Sequence, residues 1–214
     1  GSHYKPYCQK GIVIPHQLVE SNLTVKPSDI EIDPDEFIIL HAGNMLQARQ
    51  PKGLINGFKK FLLRNPQARA RFINVGPTVH YQAYLSKEAA KTEQIEVYSG
   101  NLPFKNVTWL QEKASVNVII EAKAEFSPFL PGKFPHCIAA GQPILLLGPP
   151  KSEVRRLLGN KYPFWAEIDD EEKISQLLGD LYENWEADQK VTDYQEIKDY
   201  LSESHLKNII EGLN

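Results

Sequence analysis

From Phe37 onward the chain alternates between two rhythms: short apolar runs, most with a glycine just after, and stretches with apolar residues at every third or fourth position. Phe37-Ile38-Ile39-Leu40-His41-Ala42-Gly43 reads as a buried strand, because a strand covered on both faces is apolar nearly throughout. A helix over 52–63 would place Leu54, Ile55, Phe58, Phe61 and Leu62 on one face, and Asn65-Pro66 would end it. The alternation continues with a strand over 71–76, a helix over 79–90, a strand over 95–98, a helix over 107–114 and a strand over 116–120. A proline-rich loop, 127–133, leads into a small-residue helix over 134–140, which Gly141 stops as a left-handed cap. A strand over 143–147 follows, then a helix over 153–158 capped by Ser152, and an edge strand over 162–166. Two long amphipathic helices, 169–185 and 194–213, close the chain.

Short apolar strands in strict alternation with helices predict an α/β fold with a doubly wound parallel sheet of about six strands. Gly11 to Pro15 is strand-like, and 21–34 reads as an extended connector. The expected division is a tag scar over 1–3, an interdomain lead-in over 4–36, a Rossmann-like domain over 37–190 and a C-terminal helix over 191–214. A scar joined to such a lead-in suggests a piece of a longer protein.

The 214 residues carry a formal net charge of −3. No overall basic field exists to attract nucleic acid, so an anionic ligand must be held by local groups. Cys8 and Cys137 stand far apart in sequence and suggest neither a disulfide framework nor a zinc cluster; this usage fits a cytoplasmic setting. No apolar run approaches the roughly 18 residues that span a bilayer.

In a doubly wound sheet the ligand crevice lies outside the carboxyl ends of the strands, where strand order reverses. That rule selects the loops at Gly43-Asn44, Gly76, Gly100-Asn101, Ser127 to Lys133 and Gly148. Glycines let backbone approach a ligand, and helix starts offer free N–H groups to phosphate. Arg49 and Lys52 precede one helix and Lys133 precedes another. The three cations read either as a diphosphate clamp or as solvated loop charges.

The segments 38–53, 73–76 and 97–103 resemble strand ends in the C-terminal, nucleotide-sugar-binding domain of GT-B glycosyltransferases of the family 4 type. The segment Ser127-Pro128-Phe129-Leu130-Pro131-Gly132-Lys133-Phe134-Pro135-His136, continuing to Leu145, is similar to that family's Ser…Pro-x-Lys…Glu-x-x-Ala-x-Gly-x-Pro-Val segment in members acting on bacterial surface polysaccharides. The resemblance spans about 12–185. It implies a Rossmann-like half of a GT-B fold, with an N-terminal GT-B domain as its partner and a nucleotide-diphospho-sugar as its ligand. Arg49, Lys52 and Lys133 would contact the diphosphate. Gly43, Asn44 and Gly76 would line the crevice, with Gly100, Asn101 and Leu102 at the nucleobase. Ser127, Phe129, Leu130, Pro131, Gly132 and His136 would complete the donor site. The resemblance implies no cofactor and no metal, and it leaves peripheral membrane contact open for the full-length protein.

One departure stands out. The family carries two glutamates eight positions apart where this chain has Pro128 and His136. A neutral histidine nitrogen can accept a hydrogen bond from a ribose hydroxyl, but proline cannot replace a carboxylate. A non-catalytic binding domain of the same fold therefore stays open, as does half of a nucleotide-sugar epimerase. A dinucleotide enzyme fits less well, since no G-x-G-x-x-G follows an expected strand. His41 reads as a hydrogen-bonded core residue or as a group facing the cleft. Trp109, Trp165 and Trp185 read as packing residues, and the acidic run from Asp169 to Glu172 as a solvated helix start.

Overall fold

The computed structural model describes residues 14–18 and 24–212. The expected strand over 11–15 lies almost wholly outside them. Residues 24–34 run without regular structure into β1 (Phe37–Ala42).

Six strands form one sheet: β1, β2 (Ala70–Val75), β3 (Ile95–Tyr98), β4 (Val116–Ile120), β6 (Ile144–Leu147) and β8 (Trp165–Ala166). Their order is β3-β2-β1-β4-β6-β8, and every pairing is parallel. The chain winds outward from β1 to β3, then restarts on the other side at β4. That reversal leaves a crevice at the carboxyl ends of β1 and β4.

Alternation along β1 explains the two covered faces. Phe37 and Ile39 enter one core with Leu54, Ile55, Phe58 and Phe61 of α1 (Lys52–Arg64). Leu85 of α2 (Gln82–Ala89) and Ile174 and Leu178 of α6 (Glu171–Glu186) join the same core. Ile38, Leu40 and Ala42 turn to the opposite face and meet Leu110 of α3 (Phe104–Lys113). A neighbouring cluster on Ile119, Ile144 and Leu146 takes Phe134 and Ile138 of α4 (Phe134–Ala140), and Val154 of α5 (Glu153–Leu158). Helices α1 and α6 pack closely because α1 carries glycines where α6 and the turn before it approach. A Cβ on Gly53 would lie 2.0 Å from the Ile168 carbonyl oxygen, and one on Gly57 would lie 2.6 Å from Ile174 Cγ2.

Gly141 closes α4 with φ +76°, and the Ser152 hydroxyl accepts from the Arg155 N–H at the start of α5. Asp170 caps α6, while Glu171 and Glu172 pair with Lys60, and Glu172 with Arg64. The acidic run thus anchors α6 to α1. Trp185 packs on Phe37 with centroids 5.6 Å apart, Trp109 lies against the Leu110 cluster, and Trp165 lies under Arg155, 4.3 Å from its ring centroid.

Three features depart from the pattern reading. The C-terminal helix is two helices, α7 (Gln195–Tyr200) and α8 (Glu203–Glu211). The break falls where the Ser202 hydroxyl accepts from the His205 N–H, a cap that competes with continuing the helix. The helices expected over 79–90 and 107–114 begin at Gln82 and Phe104 instead. A second, two-stranded sheet pairs β5 (Phe126–Ser127) with β7 (Lys151–Ser152), joining the loop after β4 to the loop after β6.

Candidate functional site

The crevice is shaped first by two glycines. Gly43 ends β1 with φ +146°, and Gly76 ends β2 with φ +123°. These left-handed conformations are open to glycine and costly for other residues. The Gly43 N–H donates to the Val75 carbonyl at 2.8 Å, which binds the two strand ends together. Behind them, His41 of β1 and Asn74 of β2 stand in register and share a 2.9 Å hydrogen bond between Nδ1 and Oδ1. His41 is 1% exposed. Burial, then the nearby Lys133 charge, holds its pKa well below the usual imidazole range, so the ring is neutral. It is a hydrogen-bonded core histidine beneath the crevice.

Lys133 precedes α4 and turns inward across the ends of β1 and β4. Its Nζ donates to the Val118 carbonyl at 3.1 Å and passes 3.7 Å from a Cβ position on Gly43. Burial, together with the Arg49 charge, lowers its pKa to about 8. Arg49, on the loop after β1, is felt by Lys133, His41 and Glu121, and its guanidinium forms no ion pair with any described residue. Two cations within electrostatic reach of one another near the strand ends, with no carboxylate ion-paired to either among the described residues, are suited to an anion that bridges them. Lys52 does not join them: it is exposed, and its ammonium lies 6.0 Å from the centre of the Tyr84 ring.

The remaining residues expected at the site surround this centre unevenly. Asn44, Gly100, Asn101 and Gly132 are exposed, while Leu102, Ser127 and Leu130 are partly covered. Phe129 is 75% exposed and Pro131 is buried. His136, on α4, meets the Phe104 ring edge-on at 4.8 Å, and burial and His16 lower its pKa, which favours the neutral, accepting form. The pair Asp33 and Asp35, with one residue between them, precedes β1 at the amino edge of the sheet, and Asp33 accepts from Arg69 at 2.7 Å. No group of three metal-ligating side chains occurs among the described residues.

One group at this edge was not singled out from the sequence. Glu121 directly follows β4 and is 3% exposed, and neither of its carboxylate oxygens has a hydrogen-bond partner among the described residues. Burial raises its pKa; Ser127 and Ser152 hydroxyls close by, and Arg49 beyond them, oppose the rise. Gly148, at the end of β6, leaves the space it fills: a Cβ there would lie 2.9 Å from Oε2. The available signal was an acidic residue immediately after an all-apolar strand, at a ligand-facing strand end.

The order and uniform direction of these strands, with the crevice at their reversal, define a Rossmann-like α/β domain, the architecture of one half of a GT-B fold. Solved structures share this fold. The chain is similar to an E. coli trehalose-6-phosphate structure bound with UDP-2-fluoro glucose, at 14% identity and TM-score 0.58, over 78% of this chain and 40% of that one. The trehalose-6-phosphate synthase OtsA is matched at 12% identity and TM-score 0.59, again over 78% and 40%. An α,α-trehalose 6-phosphate synthase from Burkholderia multivorans is matched at 12% identity and TM-score 0.53, over 84% and 44%. At these identities the likeness is one of fold, and the chain spans less than half the length of each. No protein-family model and no curated protein sequence matches the chain. Among the described residues no helix is long and apolar enough to cross a membrane.

Proposed function

We propose that this chain is the nucleotide-sugar-binding, C-terminal half of a glycosyltransferase of the family 4 type, one that builds a surface polysaccharide. The observation that carries the reading is Lys133 lying against Gly43, at the point where strand order reverses, within the electrostatic reach of Arg49. The GT-B likeness and the UDP-sugar analogue in one matched structure support it.

In this reading the diphosphate of the donor lies across Lys133 and Arg49. When the bond between the sugar's anomeric carbon and the diphosphate breaks, negative charge grows on the departing phosphate oxygen. Two fixed cations in a partly dry crevice stabilise that charge without having to reorganise. The neutral His136 accepts from a ribose hydroxyl. The acceptor and any acid or base group belong to an N-terminal partner domain, so this chain alone binds donor weakly at best and transfers no sugar.

A second reading is a non-catalytic binding domain of the same fold. Pro128, standing where the family carries a glutamate, favours it. Titration of UDP, GDP and their sugars into the chain, followed by calorimetry, tests both readings. The diphosphate site requires that Lys133→Ala and Arg49→Ala each weaken nucleoside diphosphate binding by about tenfold or more. Nucleotide binding indifferent to both substitutions overturns it. Sugar transfer after the N-terminal domain is supplied separates the transferase from the binding domain.

A further inference from the structure

We infer that Glu121 is the carboxylate that reads the sugar of the donor, and that the sugar it accepts is a neutral hexose rather than a uronic acid. This rests on the diphosphate site proposed above. A carboxylate this buried is costly unless well-formed hydrogen bonds satisfy its oxygens, and among the described residues only the Ser127 and Ser152 hydroxyls approach it, neither with hydrogen-bond geometry. The chain nevertheless keeps a place for it, since any side chain on Gly148 would collide with Oε2.

The location fits a sugar joined to the diphosphate. Glu121 follows β4, the strand whose Val118 carbonyl receives Lys133, and it lies within the field of Arg49. Its polar neighbours are the hydroxyls of Ser127 and Ser152, one from each strand of the β5–β7 ribbon; they come close enough to hold its pKa down, but neither meets its oxygens with hydrogen-bond geometry. That ribbon is two residues wide on each side, which is the least that can pair. A sugar hydroxyl entering between the two serines meets an acceptor-only group with free lone pairs.

The surroundings decide the charge of the sugar. A cavity of about 430 Å³ at the same edge is lined by Gly148, and its lining also carries Lys123, Glu125, Glu167 and Asp169. Lys123 is already paired with Asp169. A sugar carboxylate near Gly148 would meet the negative charge of Glu121 and of this acidic lining. Hydroxyls, which donate and bring no charge, satisfy the same groups.

The test compares UDP, UDP-glucose, UDP-glucuronate, GDP and GDP-mannose by calorimetry on the wild-type chain and on Glu121→Gln. In the wild type a hexose nucleotide should bind about tenfold tighter than its nucleoside diphosphate, and UDP-glucuronate should gain nothing over UDP. Glu121→Gln should leave nucleoside diphosphate binding unchanged and remove most of the hexose gain. Thermal unfolding of the same samples verifies that the variant is folded, and the glucose-to-glucuronate comparison needs no variant. A hexose gain untouched by Glu121→Gln, or glucuronate bound as tightly as glucose, overturns the assignment of Glu121 alone. Absence of all nucleotide binding overturns the diphosphate site, and this inference with it.

Discussion

A Cβ placed on Gly76 would lie 2.5 Å from the carbonyl oxygen of Gly43. The ends of β1 and β2 therefore touch through backbone alone, and Gly76 also needs its positive φ of 123°. Both demands fail for alanine. Gly76→Ala should destabilise the fold by roughly 2–4 kcal/mol, from strain and from forced separation of the two strand ends. Gly100 is the control: it lies on the next loop with nothing within 4 Å of a Cβ position. Gly100→Ala should change stability by less than about 0.5 kcal/mol. Urea unfolding midpoints of the two variants check this, and equal midpoints would contradict the close approach.

Lys133 gives the crevice a pH dependence of its own. Its pKa is lowered to about 8 by burial, so the free protein loses this charge as pH rises through that value. A diphosphate needs the charge. Affinity for a nucleoside diphosphate should therefore fall by about tenfold between roughly pH 7 and pH 9, and the fall should be absent in Lys133→Met. The same shift predicts stability in the opposite sense. The folded pKa is below the unfolded one, so the unfolded chain binds the extra proton between about pH 8 and pH 10.4, and stability rises with pH across that window. Lys133→Met should accordingly be more stable than the wild type at neutral pH, by on the order of 2 kcal/mol after allowance for partial exposure, with the difference gone above the window. Calorimetric titration and urea unfolding at matched pH values measure the two effects.

The sequence carried the sheet well because a parallel sheet buried on both faces writes each strand as an apolar run. Phe37 to Ala42 and Val116 to Ile120 are buried at every position. The β5–β7 ribbon was not legible, since two residues have no period. The break between α7 and α8 left only a small mark: Ile197 and Leu201, and Leu206 and Ile209, keep helical spacing within each piece, but the step of five from Leu201 to Leu206 slips off it, and the Ser202 cap fixes the stop. At the crevice, Lys133 and Arg49 could be read from their places on loops before helices. Lys52 has the same local setting, yet its direction depends on Tyr84, thirty-two positions later in the chain. Glu121 was silent because an acidic residue after a strand is ordinarily solvated. Its burial is set by Gly148 and the two serines, which lie elsewhere in the sequence.

Ser202 offers a local test of the helix break. Its hydroxyl accepts from the His205 N–H and donates to the Asp199 carbonyl at 2.6 Å, so it stops α7 and starts α8 together. Ser202→Ala should cost α8 about 1 kcal/mol. Leu201 is buried against the Ile119 cluster, whereas α8 has no buried residue. The loss should therefore be confined to α8. Amide exchange in 203–211 should speed up about fivefold while the rest of the sheet is unchanged. Faster exchange in β4 or β6 would show α8 to be coupled to the core.

The orphaned carboxylate of Glu121 makes a last prediction about stability. Its pKa is raised by burial, so only in the interval between the ordinary carboxylate value and the raised one does the folded protein hold a proton that the unfolded chain releases. The fold is penalised as pH rises from the ordinary carboxylate range through the raised value, and regains stability as pH falls back through it. Glu121→Leu removes both the charge and the unmet hydrogen bonds while keeping most of the volume. That variant should be more stable than the wild type at neutral pH by roughly 1–3 kcal/mol, and the advantage should shrink as pH falls toward about 4.5. A residue kept only for packing would behave differently, since leucine would then bring no gain that depends on pH. Urea unfolding of the two chains at a series of pH values measures the difference directly. A stability gap of constant size across that series would mean that Glu121 is already satisfied in the folded state, and that the fold sets aside no carboxylate for a ligand.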